Sequence, residues 1–131
     1  MKKYYHLTNV ENIDSIKEKG LLANDNGNIY LFENKFITEL GWGTTPDGRS
    51  GFGKVQQLLA DHIAASQLCL KEYAVFEVNG KGITAELEHD YDDGTWVVRQ
   101  EVISPNHIRL VRTDKTMTPE LIECLVEADA S

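Results

Sequence analysis

The fold of this chain is decided first by residues 4–22, which read YYHLTNVENIDSIKEKGLL. The aromatic-rich start is typical of a strand, which we expect over Lys3 to Leu7. Thr8 and Glu11 have the spacing of a capping box, which predicts that a helix begins here. Apolar residues then recur at helical intervals, and Gly20 is the residue type that ends helices in a left-handed conformation. The stretch therefore predicts a strand followed directly by a helix.

The rest of the 131-residue chain predicts one domain, spanning residues 1–131. A turn rich in Asn, Asp and Gly at residues 24–28 follows the first helix. Apolar patterns predict helices around residues 55–63 and from Thr118 onward. Further strands are expected at residues 29–32, 72–78, 83–87, 95–103 and 108–111. Because helices cluster early and strands cluster late, the sequence predicts an α+β fold with a largely antiparallel sheet.

The composition is that of a globular protein, with 41% hydrophobic and 26% charged residues. No apolar run is long enough to span a bilayer, and the start lacks the apolar stretch of a signal peptide. We therefore expect a cytoplasmic protein that does not bind membranes. Cys69 and Cys124 both lie in apolar helical patterns, so we expect both to be buried core residues.

The net charge is −8, from 13 Lys and Arg against 21 Asp and Glu. Nucleic-acid binders use a basic face, because neutralising phosphates supplies most of their affinity. The charge therefore argues against DNA or RNA as the main partner.

The chain lacks the sequence motifs of several common nucleotide-binding and metal-binding sites. No Gly-Lys-Ser/Thr follows a glycine loop, and the glycine pairs at 41–43 and 51–53 lack the third glycine of a dinucleotide fold. The four histidines show no paired spacing for zinc. The acidic stretch at 86–93 does not match a calcium loop. The sequence therefore predicts no metal site.

Three segments remain as candidates to carry chemistry: YYHLTN at 4–9, GNIYLF at 27–32 and RQEVISPNHI at 99–108. In the first, strand alternation places His6 and Thr8 on one face together with Tyr4. In the third, we expect Trp96, Val98 and Val102 to share one face of a continuous strand. Glu101 would then lie on the opposite face beside Arg99.

These segments resemble motifs of the ADP-ribosyltransferase superfamily, and most closely those of DNA-modifying ADP-ribosyltransferase toxins. A first-strand histidine followed by a helix that ends in Gly-Leu also occurs in the superfamily's RNA 2′-phosphotransferases. The segment at 28–32 is similar to the tyrosine motif of the His-Tyr-Glu branch, and the segment at 100–108 to the strand with the catalytic glutamate. The resemblance covers residues 4–33 and 96–110. Arg99 stands where arginine-specific transferases carry Gln or Glu, so their target specificity is not carried over.

The resemblance implies a split, mainly antiparallel sheet with flanking helices and a cleft that takes NAD as a substrate. It implies that Glu101 is the catalytic residue, stabilising positive charge on the ribose as nicotinamide leaves. The expected contacts to NAD are His6 and Thr8 at the ribose hydroxyls, Tyr30 and Trp42 stacked on flat rings, and Arg49 at the diphosphate.

The implied function is ADP-ribosyl transfer from NAD to a macromolecular acceptor, with protein favoured over nucleic acid by the net charge. By analogy, a transferase of this size suits a bacterial or phage effector or toxin. One alternative is a degenerate domain of the same fold that binds a nucleotide or a protein. Another is an RNA 2′-phosphotransferase, for which the chain offers Arg49, Arg99, Arg109 and Arg112. Residue by residue, His6 could instead be a half-buried residue with satisfied hydrogen bonds, and Tyr30 a core aromatic. Glu101 could pair with Arg99 or with a neighbouring strand.

Overall fold

The computed structural model describes residues 3–32, 60–90 and 95–130. The helices are α1 (Ile13–Lys19), α2 (Ala60–Gln67) and α3 (Pro119–Ala130). The strands are β1 (Lys3–Asn9), β2 (Leu21–Leu22), β3 (Ile29–Leu31), β4 (Glu72–Asn79), β5 (Leu87–Asp90), β6 (Thr95–Val98), β7 (Val102–Ile103) and β8 (Ile108–Lys115). Helices and antiparallel strands occur together, which confirms the α+β class. None of the described helices is long and apolar enough to cross a membrane.

The described strands form three antiparallel ladders. Their orders are β1-β4-β8, β2-β7 and β3-β6-β5. A single bridge links the first ladder to the third, because Tyr5 and Phe32 exchange two backbone hydrogen bonds of 2.7 Å. Strand β1 therefore lies beside β3, although the two are separated in sequence by α1 and β2.

Strand β4 is buried on both faces and separates two apolar clusters. On one face, Phe76 and its alternate neighbours pack against Tyr4 of β1 and residues of β3, β6 and β7. On the other face, Tyr73 and Val75 pack against Leu7 and helix α2. Alternation along a strand produces this division, because successive side chains point to opposite sides.

The start of the first helix differs from the predicted capping box. Strand β1 continues to Asn9, so Thr8 is still paired in the ladder, opposite Ala74. The side chain of Asn9 accepts a hydrogen bond from the amide of Glu11 and begins a 3₁₀ turn over Val10–Asn12. The prediction of Thr8 as the cap was therefore wrong, because strand pairing extends past it. Asparagine caps helices as well as threonine does.

The predicted continuous strand over 95–103 is interrupted. Strand β6 ends at Val98 and β7 begins at Val102, with irregular backbone between them. Val98 is fully buried, Val102 is 38% exposed and Ile103 is fully buried. The interruption shifts the alternation by one residue, so the prediction that Val102 shares the buried face with Val98 was wrong. Glu101 lies within the interruption, so the prediction that it occupies one face of a strand was also wrong.

The predicted strand at 83–87 was also wrong. A 3₁₀ turn over Gly80–Gly82 follows β4, and β5 begins only at Leu87. The amides of Thr84 and Ala85 donate instead to the side-chain oxygen of Gln100. This oxygen is the acceptor that a carbonyl of a neighbouring strand would otherwise supply.

Both cysteines are exposed and free, so their assignment to the core was wrong. Cys69 lies just beyond α2 in a left-handed backbone conformation, with φ of 59°. Cys124 lies in α3, in which Ile122 is buried. Leu121 and Leu125 on the same helix are 47% and 37% exposed, so only part of its apolar side is covered in the described structure.

Candidate functional site

His6 lies in the middle of β1 and contacts the neighbouring strand β3. Its Nδ1 lies 2.9 Å from the carbonyl oxygen of Tyr30. A carbonyl only accepts hydrogen bonds, so Nδ1 carries the hydrogen and Nε2 of the neutral ring is an acceptor. Burial lowers the pKa of His6, and the hydrogen bond to Tyr30 opposes this only in part. The imidazole is therefore neutral at pH 7.

Tyr30 is the exposed residue of an otherwise buried strand. Its side chain is 39% exposed, whereas Ile29 and Leu31 on either side are 2% and 0% exposed. Alternation therefore turns the ring of Tyr30 away from the cluster that its neighbours fill. The contact between His6 and Tyr30 is to the backbone, and the ring of Tyr30 offers a flat surface to solvent.

Thr8 is half-buried, and its hydroxyl is engaged at the start of the helical region. The oxygen Oγ1 accepts a hydrogen bond of 2.9 Å from the side-chain amide of Asn12. The hydroxyl hydrogen of Thr8 remains a donor for another group. Trp42 and Arg49, the other predicted contacts to NAD, lie outside the described residues.

Glu101 lies in the irregular segment between β6 and β7, with an exposed side chain. Its carbonyl accepts a hydrogen bond of 2.9 Å from the amide of Ala23, next to the β2-β7 ladder. The residue lines an open cavity of about 540 Å³. The other lining residues are Lys81, Gly82, Thr84, Ala85, Arg99, Gln100, Val102, Ser104 and His107.

The lining of this cavity does not include His6, Thr8 or Tyr30. In the described part of the chain, the predicted residues are thus divided between two places. His6 and Tyr30 meet where β1 borders β3, while Glu101 lies beyond the end of β6. The two places are connected through the β3-β6 ladder, in which Tyr30 lies opposite Val97.

Charged groups of both signs surround the cavity. Lys81 and Arg99 are exposed cations that line the same cavity as Glu101. The ion pair of Arg99 is with Glu88 of β5, at 3.7 Å, rather than with Glu101. Exposed pairs of this kind contribute little to stability, so Arg99 can exchange Glu88 for a ligand at small cost.

Several lining residues of the cavity were not predicted as site residues, among them Lys81, Gly82 and His107. Lys81 and Gly82 belong to the 3₁₀ turn after β4, and His107 belongs to a second 3₁₀ turn. A Cβ atom at Gly82 would lie 2.7 Å from Cβ of His107, so only glycine lets the two turns pack together. The pair of glycines around Lys81 was the signal that could have drawn attention to this turn.

A second polar cluster, also missed, joins α2 to β4 and β8. The hydroxyl of Tyr73 donates a 2.9 Å hydrogen bond to buried Asp61, which also forms an ion pair with Arg112. Nε2 of His62 lies 3.3 Å from Asp114, while its Nδ1 accepts from the amide of Met117. Burial, together with the charge of Asp114, raises the pKa of Tyr73 to about 12.

These contacts satisfy buried polar groups and hold α2 against the sheet, which is a structural role. Among the described residues, no three His, Cys, Asp or Glu side chains are grouped so that they could hold a metal ion. Comparison with family models, with curated proteins and with solved structures finds no match to this chain.

Proposed function

We propose that this protein cleaves the nicotinamide–ribose bond of NAD and transfers ADP-ribose to a macromolecular acceptor. The observation that carries the proposal is the adjacency of the strands that bear His6 and Tyr30 and of the strand that leads to Glu101. His6 on β1 bonds to the backbone of Tyr30 on β3, and β3 pairs with β6, which leads into Glu101. The described strands form separate antiparallel ladders, and this arrangement supports the split sheet that the proposal expects.

In this proposal Glu101 stabilises the transition state. Departure of nicotinamide leaves positive charge on the ribose, and a carboxylate placed beside the sugar is attracted to that charge as it develops. The exposed side chain of Glu101 at the edge of an open cavity is accessible both to NAD and to an acceptor.

The remaining motif residues bind NAD in this proposal. His6 is neutral, so its Nε2 accepts a hydrogen bond from a ribose hydroxyl, and Thr8 donates its free hydroxyl hydrogen. The exposed ring of Tyr30 stacks on nicotinamide or adenine. Trp42 and Arg49 keep their proposed roles at a flat ring and at the diphosphate.

A protein remains the favoured acceptor, because the chain carries a net charge of −8. Two of the arginines that an RNA 2′-phosphotransferase would use are held elsewhere. Arg109 pairs with Glu77 at 3.1 Å, and Arg112 pairs with Asp61. A cytoplasmic bacterial or phage effector is the setting that we propose.

One observation favours a second candidate function, a domain that binds a nucleotide or a protein without cleaving NAD. His6 does not line the cavity of Glu101 in the described structure. A catalytic site needs the ribose to contact both residues at once, whereas a binding site does not. The two candidates differ in whether nicotinamide is released.

Replacing Glu101 by Gln tests the proposal. Glutamine preserves the shape of the side chain and removes its charge, so we expect NAD turnover to fall by on the order of a hundredfold or more. Glu18→Gln, which makes the same change at an exposed position of α1, is the matched control and should keep full turnover. Release of free nicotinamide and labelling of macromolecules in a lysate are measured separately.

Equal turnover in the wild type and in Glu101→Gln would remove Glu101 from the mechanism. Calorimetric binding of NAD by the wild type without release of nicotinamide would favour the binding domain.

A further inference from the structure

Gln100, the residue before Glu101, makes four hydrogen bonds through its side-chain amide. Its oxygen accepts from the amides of Thr84 at 2.8 Å and Ala85 at 3.3 Å. Its nitrogen donates to the carbonyls of Gly82 at 2.8 Å and Val102 at 2.7 Å. Both hydrogens of the NH₂ group and both lone pairs of the oxygen are thus used.

The partners of Gln100 determine which way its amide faces. Two backbone N–H groups require an oxygen on one side, and two carbonyls require an NH₂ group on the other. Only a primary amide satisfies both sides. A carboxylate of the same shape would keep the contacts to Thr84 and Ala85 but would repel the carbonyls of Gly82 and Val102.

These bonds lie where the strand ladders stop. Strand β6 is paired as far as Val98, and β7 is paired from Val102, so the segment 99–101 lies between two ladders. On one side Gln100 attaches this segment to the turn at 82–85. On the other side the carbonyl of Glu101 accepts from the amide of Ala23.

We infer that Gln100 is a positioning residue that holds Glu101 at the edge of its cavity. The inference rests on the proposed function for its catalytic meaning. The hydrogen bonds of Gln100 replace the missing strand pairing on the side of Gly82, and they join two walls of the cavity through one side chain. These bonds fix the backbone of Glu101, and the fixed backbone in turn defines the position from which its carboxylate side chain extends.

The first test measures the position of Glu101 without requiring activity. Exchange of the Ala23 amide reports on its bond to the carbonyl of Glu101, a bond that Gln100 does not touch. In Gln100→Glu and Gln100→Leu, we expect the protection of this amide to fall about tenfold or more. Gln67→Glu, at the exposed end of α2, is the matched control and should leave it unchanged.

Acidification separates the two variants. A protonated glutamic acid regains one donor, so the protection of Ala23 should partly recover in Gln100→Glu as the pH falls through the range of a carboxyl group. Gln100→Leu has nothing to protonate and should show no recovery, with the wild type measured at the same pH values. Unchanged protection in both variants would overturn the inference. An equal loss of protection at Phe76 in the core would also overturn it, by showing a general effect on folding.

The second test uses NAD. A positioning role predicts that kcat of Gln100→Glu falls about tenfold or more, while KM for NAD stays within about twofold. A fall in affinity alone would contradict that role. A wild type that releases no nicotinamide would refute the proposed function, while the exchange of Ala23 would still decide whether Gln100 holds the segment of Glu101.

Discussion

The position of β1 beside β3 keeps His6 neutral, because burial there lowers the pKa of its imidazole. The residue is half-buried and its ring bonds to the backbone of β3, and the loss of water around the ring lowers the pKa of the imidazole. The carbonyl of Tyr30 fixes the tautomer, because it can only accept the hydrogen on Nδ1. The hydrogen bond to Tyr30, 24 positions away in the sequence, thus leaves Nε2 of His6 as a hydrogen-bond acceptor.

The lowered pKa of His6 predicts a dependence of stability on pH. The unfolded chain takes up a proton near pH 6.5 and the folded chain does so only at lower pH, so acidification below 6.5 favours unfolding. The contribution is present above pH 6.5 and is lost as the pH falls toward the folded value. Its slope is at most about 1.4 kcal/mol per pH unit.

His6→Asn isolates this effect, because the asparagine Nδ2 can still donate to the carbonyl of Tyr30 but does not titrate. Urea denaturation of both proteins between pH 7.5 and 5.5 measures the free energy of unfolding. We expect the wild type to lose more stability than the variant over this range. Parallel curves would show that His6 titrates alike in both states.

The end of α1 and the short ladder β2-β7 form one unit. Gly20 ends the helix with φ of 88°, and its amide donates to the carbonyl of Ile16. A Cβ atom at this position would lie 2.1 Å from the carbonyl oxygen of Ile103, so the backbone of β7 approaches the helix end closely. Through β7, the helix end and the segment of Glu101 are fixed together.

Gly20→Ala should therefore reduce the free energy of unfolding by at least about 2 kcal/mol. The loss combines a strained backbone with the collision at Ile103. Gly27→Ala is the matched control, because Gly27 has φ of 79° but no atom within 4 Å of an added Cβ. It should cost only about 1 kcal/mol. Chemical denaturation measures both, and equal losses would show that the close approach to Ile103 carries no cost.

At the scale of the whole molecule, strand β4 links the two apolar clusters, because it contributes residues to both. It pairs with β1 on one edge and β8 on the other, and it presents an apolar cluster on each face. The face of Phe76 borders the strands of the three motifs, while the face of Tyr73 receives α2. The stability of both clusters therefore depends on one strand.

Phe76→Ala should destabilise the protein by about 3–5 kcal/mol, because it empties a fully buried position. Leu68→Ala, at a residue that is 55% exposed, should change the free energy of unfolding by no more than about 0.5 kcal/mol. Denaturation followed by both fluorescence and circular dichroism should give coincident transitions for the wild type. Separate transitions would show that the two clusters unfold independently.

Local interactions account for what the sequence predicted correctly. The end of α1 at Gly20 and the start of α3 at Pro119 were both predicted, because helix ends depend on neighbouring residues. The turn after β2 was also predicted. Its geometry comes from the side chain of Asn24, which accepts from the amides of Asn26 and Asn28.

The candidate site was predicted only as separate motifs. Its residues His6, Tyr30 and Glu101 were named from the sequence, but their distribution between a strand border and a cavity was not. Lys81 and His107 were missed because they meet only after two distant turns pack at Gly82.

The sequence by itself determined the turn at 24–28, the end of α1 at Gly20 and the start of α3 at Pro119, because each depends on residues a few positions apart. The tertiary structure alone decided the break at 99–101, because Gln100 bonds to residues 15–18 positions away. It also decided the exposure of Cys69 and Cys124, since burial depends on which surface another element covers. The periodicity of side chains along the sequence does not predict contacts between distant residues. The environment of Glu101 depends on such contacts, because Gln100 beside it bonds to residues of another turn.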